Sequence, residues 1–147
     1  MRTVPALRSL ILGSLTLLLA LAAPAQAQMS SVNRQLNAIV SGLADDGYTE
    51  SHLRRTGQLN DDRTRSYTIR LQEGMRYSIA GVCDDDCADL DLMLYDARGR
   101  MIDQDESTDD HPVVSVTAPR SGTFSVRVRM YDCSANPCAF GLVVFGE

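Results

Sequence analysis

The sequence has no lysine and no tryptophan, only three phenylalanines, and two histidines, His52 and His111. Each scarcity narrows the field. A sugar-cleaving cleft needs aromatic platforms. A chain without Trp, with at least two of its three Phe at core positions, has little to build them from. The motif H-E-x-x-H is absent, as are a glycine-rich phosphate loop and the G-x-S-x-G turn that presents a nucleophilic serine. A Ser-His-Asp set around either histidine therefore lacks its usual frame. No window supplies the D-x-[DN]-x-[DN]-G loop with Glu at its twelfth place that an EF-hand requires. There is no internal repeat and no low-complexity linker.

What is present is acid. All 14 basic residues are arginine, against 19 Asp and Glu, for a formal charge of −5. The acids crowd together: residues 84 to 110 hold eleven of them, opposed only by Arg98 and Arg100. Such a surface argues against nucleic acid or an anionic membrane as partner and leaves cations, basic proteins and neutral polysaccharides open.

The N-terminus reads as an address. Arg2 and Arg8 precede the apolar run "LILGSLTLLLALAA", and Ala25-Gln26-Ala27 is a small-x-small cleavage site. The run is short for a membrane span and ends at Pro24. The expectation is a signal peptide over 1–27, cleaved after Ala27, and a periplasmic or secreted product with no membrane segment. Losing Arg2 and Arg8 takes the formal charge from −5 to −7. The remainder suits one domain with one core: a helical segment over 28–46 and a β domain over 47–147.

Four cysteines in a small exported domain predict two disulfides. The spacings favour two local bridges, Cys83–Cys87 and Cys133–Cys138, with cross-pairing between the loops as the alternative. Four-cysteine zinc fits the spacing poorly. Local bridges close short loops, so each gains only on the order of 2 kcal/mol in chain entropy, and loop shape is their main effect.

Val32, Leu36, Ile39, Val40 and Leu43 form one apolar stripe, predicting a helix over 30–44, capped by Ser30 or Ser31 and stopped by Asp45-Asp46-Gly47. The stripe suits packing on its own domain better than docking on a partner. From Gly47 the period becomes two. A weak first strand occupies 48–58. Tyr67, Ile69 and Leu71 alternate with polar residues, as do Tyr77 and Ile79, then Leu90, Leu92 and Leu94, then Val114 and Val116, then Phe124, Val126, Val128 and Met130. Met101 and Ile102 follow the turn "DARG", and "AFGLVVFG" is the last strand. Seven or eight short strands with a turn after each predict an all-β, antiparallel, jelly-roll-like β-sandwich with one short N-terminal helix. Arg127 and Arg129 fall on its outer face.

The segments "SYTIRLQEGMRYSI", "DLDLMLYDARGRMIDQD" and "VSVTAPRSGTFSVRVRM" resemble the bacterial pre-peptidase C-terminal domain family over about residues 57 to 146. The resemblance implies a jelly-roll-like sandwich, a non-catalytic accessory role beside an exported enzyme, and calcium. Related collagenase modules bind Ca2+ through acids near the start of the domain, a segment matched here by Asp61 and Asp62. The chain departs from the pattern in its N-terminal helix, which stands where an enzyme domain would be, and in its cysteine loops.

Asp89 and Asp91, at i and i+2, share one face of a strand, with side chains about 6–7 Å apart. That is the short edge of the separation an inverting glycosidase requires. Without an aromatic cleft the catalytic reading is weak, and a solvated outer face is the plain expectation. Hard carboxylates also suit Ca2+. The candidate metal residues are therefore Asp61, Asp62, Asp84, Asp86, Asp89 and Asp91. Asp103, Asp105, Glu106, Asp109 and Asp110 read as a second, solvated acidic loop. The expected function is that of an exported non-catalytic module with a binding or stabilising role, Ca2+ as its candidate cofactor and a protein or polysaccharide as its ligand. The alternatives are a small secreted carboxylate-based hydrolase and an interaction protein docking through its helix.

Overall fold

The computed structural model describes residues 23–45 and 47–147. Residues 1–22, and with them most of the expected signal segment, lie outside the described residues, as do Asp46 and the side chains of residues 23, 24, 51 and 52, that of His52 among them.

Among the described residues one helix, α1 (Ala23–Asp45), precedes eight strands: β1 (Thr49–Leu59), β2 (Arg63–Leu71), β3 (Arg76–Cys83), β4 (Cys87–Tyr95), β5 (Met101–Asp105), β6 (Val113–Thr117), β7 (Gly122–Cys133) and β8 (Cys138–Gly146). They form two four-stranded antiparallel sheets ordered β1-β8-β3-β6 and β2-β7-β4-β5. That order is a jelly roll, as expected. The alternating apolar residues meet between the sheets. Leu90, Leu92, Leu94, Val126, Val128, Met130 and Ile79 are sealed there, while Tyr67, Ile102 and Val116 pack against them partly buried.

The chain is already helical at Ala23, the first described residue, seven residues before the expected Ser30. The stretch "APAQAQM" is rich in Ala and Gln, which favour helix. Ser30 is therefore interior and not a cap; its hydroxyl donates 2.8 Å to the Gln26 carbonyl one turn back. The C-terminus is as expected. Gly47 takes φ 87°, its N–H meets the Ala44 carbonyl at 3.1 Å, and the Tyr48 N–H reaches back to Leu43 at 3.0 Å. This pair of bonds is a Schellman stop.

The apolar stripe of α1 lies on the outer face of the β1-β8-β3-β6 sheet. Val32 and Leu36 are fully buried against Ala80, Val82, Ala139, Val143 and Phe145, flanked by Ile39, Val40 and Leu43. Gly141 makes the approach possible: a Cβ there would stand 2.6 Å from Leu36 Cδ1 and 2.8 Å from Val32 Cγ1. Polar bonds fix the helix along its length. Gln35 Nε2 donates to the Cys83 carbonyl at 2.7 Å, and Arg54 Nη2 donates to Asn37 Oδ1 at 2.7 Å.

Both disulfides are local, Cys83–Cys87 and Cys133–Cys138, each with a Cα–Cα distance of 5.9 Å. The Asn136–Pro137 peptide in the second loop is cis.

The Gly141 contact generates a prediction. Gly141→Ala should destabilise by about 1–3 kcal/mol through overpacking, and Leu36→Ala by about 2–5 kcal/mol through a cavity. The double variant should cost less than the sum, because shortening Leu36 frees the space the new methyl needs. Urea denaturation of the four proteins checks this; strict additivity would mean that the two groups do not touch.

Candidate functional site

Consecutive antiparallel strands put alternate turns at opposite ends of the sandwich. The connections 60–62, 84–86, 106–112 and 134–137 therefore gather at one end. They carry eight acids and no arginine: Asp61, Asp62, Asp84, Asp85, Asp86, Glu106, Asp109 and Asp110. The strands entering them add Asp89, Asp91 and Asp132. Both disulfides close loops here. The acids scattered along the sequence thus become one surface.

Much of that acid is structural. Asp84 is buried; its Oδ2 accepts the Ala139 N–H at 2.7 Å, and burial, more than its acidic neighbours, pushes its pKa up. Asp86 accepts from Gln28 Nε2 at 3.2 Å, while its carbonyl accepts the N–H and hydroxyl of Ser134 at 2.9 and 2.8 Å. Asp61 accepts the Cys133 N–H at 2.9 Å and donates its own to Asn136 Oδ1 at 2.6 Å. The β1–β2 and β3–β4 turns are thereby tied to the β7–β8 loop, and α1 is tied to the β3–β4 turn.

Asp89 and Asp91 correct the sequence reading. They do lie on the outer face of β4, but they are not solvated: Asp89 is 4 % and Asp91 2 % exposed. The β5–β6 connection lies along this part of β4, where the Leu90 N–H bonds the Asp109 carbonyl at 3.0 Å. Arg129, the cross-strand neighbour of Asp91, reaches both Asp91 (3.8 Å) and Asp62 (2.6 Å). Burial raises the pKa of Asp89, assisted by Asp109 and Asp132 and opposed by Arg129. Asp91 is pushed up to about 6 by burial first, then by Asp89, Glu106 and Asp105, with Arg129 opposing. The two carboxyls are closed off from solvent and present no open cleft for a glycosidic bond.

The second acidic segment also departs from expectation. Asp105 Oδ2 accepts the Val113 N–H at 2.9 Å, and Asp103 Oδ2 accepts the Ser115 N–H at 2.7 Å. Two carboxylates spaced by two on β5 thus satisfy two N–H groups spaced by two on the edge of β6, stitching the sheets together. Burial pushes Asp105 up, but the bonds from Val113 and Ser107 outweigh it and leave its pKa below the usual range.

The six candidate metal residues fall into three neighbourhoods: Asp61 and Asp62 on the first turn, Asp84 and Asp86 on the disulfide loop, Asp89 and Asp91 on β4 beside the β5–β6 connection. Among the described residues no group of three or more His, Cys, Asp or Glu is arranged to hold a metal ion. Two buried carboxylate oxygens, Asp84 Oδ1 and Asp89 Oδ1, lack a hydrogen-bond partner. Glu106, Asp109 and Asp110, expected as part of a second, solvated acidic loop, belong to the same acidic end, as does Asp132, which the sequence did not single out; their position follows from the alternation of turns. Arg127 and Arg129 point outward as expected, stacked over Tyr95 at 4.8 Å and Tyr131 at 4.4 Å. His111 bonds Asp110 on the surface at 2.6 Å.

No family model and no curated protein matches the chain. Solved structures do. The chain is similar to PliG of Aeromonas hydrophila, a periplasmic inhibitor of g-type lysozyme, with a TM-score of 0.51 and 14 % identity over 65 % of this chain and 85 % of that one. It is also similar to the pre-peptidase C-terminal domain of a Bacillus anthracis collagenase, with a TM-score of 0.49 and 18 % identity over 63 % and 87 % of the two chains. At 14 % identity the likeness to PliG is one of fold.

The raised pKa of Asp91 sets a pH dependence. Its folded value lies above its unfolded one, so the folded chain holds that proton more tightly. The stability this gives is full below about pH 4 and is lost as pH rises from 3.8 through about 6. Asp91→Asn should flatten the loss across that window and raise stability above pH 7, by on the order of 2 kcal/mol. Urea midpoints at several pH values, wild type against variant, check this; a parallel pair of curves would mean that Asp91 titrates normally.

Proposed function

We propose that the chain is an exported, non-catalytic binding module that presents its rigid acidic end to a basic protein. The observation that carries this is the sorting of turns: eight acids and no arginine on four loops at one end, held by two disulfides and by cross-loop hydrogen bonds. A preformed surface loses little entropy on binding, and a field of one sign speeds encounter with a partner of the other. Burial of Asp89 and Asp91 removes the pair on which the hydrolase reading rested. The signal-like N-terminus and the disulfides support export to the periplasm or beyond. The helix alternative loses its docking face, because α1 spends its apolar stripe on its own sheet.

A g-type lysozyme of net positive charge is the first partner to test, since the similarly folded PliG inhibits a g-type lysozyme. Binding to the full chain should weaken as ionic strength rises from about 0.05 to about 0.5 M. The variant Asp85→Asn/Glu106→Gln/Asp132→Asn, at three exposed positions, should lower the association rate about tenfold with little change in stability. Surface plasmon resonance reads both. Association indifferent to salt and to all three substitutions would overturn the acidic-end reading.

A cation at the same end is the second reading, favoured by the unpartnered oxygens of Asp84 and Asp89. A bound Ca2+ should raise the melting midpoint with concentration, by about 2.7 kcal/mol of stability at a hundredfold excess over Kd. Melts in EDTA and in millimolar Ca2+ decide it, and coincident midpoints reject it.

A further inference from the structure

The opposite end of the sandwich carries different chemistry. Its turns 72–75, 96–100 and 118–121 hold Arg98, Arg100 and Arg120 against Glu73 and Asp96. Between the second and third turns lies a cavity of about 400 Å3. Its floor is apolar: Phe124 is buried, and Ile102 and Val116 rest partly buried on the core. All three arginines line the cavity with it.

The one acid in the lining is already committed. Asp96 Oδ1 accepts the N–H groups of Arg98 at 2.9 Å and Arg100 at 3.0 Å, and its Oδ2 accepts Arg100 Nε at 3.2 Å. These bonds, the Arg100 N–H foremost, hold its pKa below the usual carboxylate range. Asp96 therefore shapes the turn and neutralises part of Arg100. Among the described residues the guanidinium groups of Arg98 and Arg120 have no ion-pair partner, although acids outnumber arginines by 19 to 14. The Ser121 hydroxyl accepts the Glu73 N–H at 2.9 Å, which leaves its own proton to donate.

We propose that this cavity binds a small carboxylate with an apolar body. The carboxylate would sit between Arg98 and Arg120, whose planar forks match it, and the body would lie on Phe124, Ile102 and Val116. The volume falls within the range of about 300–1,000 Å3 typical of small-molecule sites. A neutral apolar molecule would leave the arginines unmatched, and a bare anion would leave the apolar floor wet. This site is independent of the acidic end and of the partner proposed there.

Amide NMR spectra of the purified protein, titrated at constant ionic strength, test the proposal. Hexanoate should shift the amides of residues 96–100 and 118–124 and saturate at about millimolar concentration. Hexanamide and acetate should each bind at least about tenfold more weakly, since each lacks one half of the ligand. N-acetyl-leucine distinguishes sources: tighter binding than hexanoate points to a peptide C-terminus, weaker binding to a free aliphatic acid. Arg98→Gln/Arg120→Gln should weaken hexanoate about tenfold while amides away from the two turns stay in place. Hexanamide binding as tightly as hexanoate, shifts confined to other parts of the molecule, or an unchanged hexanoate affinity in the double variant would each overturn it. The comparison of ligands needs no variant, so it stands even if the substitutions disturb folding.

Discussion

The structure depends on burying β8 on both of its faces. Cys138, Phe140, Leu142 and Val144 point into the sandwich; Ala139, Gly141, Val143 and Phe145 point the other way. A sandwich strand ordinarily has a wet side. This one has none, so something apolar must cover its outer face, and α1 does. Gly141 sets how closely the helix settles, and Val32 and Leu36 fill the space that its missing side chain leaves. Once the helix lies there, β8 is closed on both of its faces. The β2-β7-β4-β5 sheet is left as the uncovered face, carrying Arg127 on Tyr95 and Arg129 on Tyr131.

A second constraint concerns where carboxylates can go in so acidic a small domain. Several do the work of backbone. Asp103 and Asp105 supply acceptors that an additional strand would otherwise bring to the edge of β6. They occupy that edge and so oppose pairing with another chain. Asp84 and Asp61 accept N–H groups at the ends of β8 and β7. Asp89 and Asp91 are the costly members: buried, close to other acids, and sharing one arginine. A fold that buries such a pair stores sensitivity to proton concentration there.

The period of two made the sandwich legible. Leu90, Leu92 and Leu94, and Phe124 through Met130, went to the core because alternation admits one choice of face. The unbroken apolar run of β8 carried the signal for a covering layer, and the stripe on the helix carried its complement. Alternation could not show depth. It put Asp89 and Asp91 on the outer face correctly, but their burial depends on neighbours distant in sequence, among them Arg129 and the β5–β6 connection. Register was equally hidden: nothing local links Asp103 to Ser115 or Asp91 to Arg129. The helix start was missed because Ser30 resembles a cap in sequence, while the Ala-rich stretch before it continues the helix without one.

The alternation of turns has one more consequence. Acids collect at one end of the sandwich axis, and Arg98, Arg100 and Arg120 stand at the other. Separated charge of this kind gives the molecule an electric dipole along the strand direction, in addition to its net charge. In the field of a basic surface it experiences a torque as well as a pull. It turns its disulfide-braced end forward before contact, so a larger fraction of collisions begins in a productive orientation.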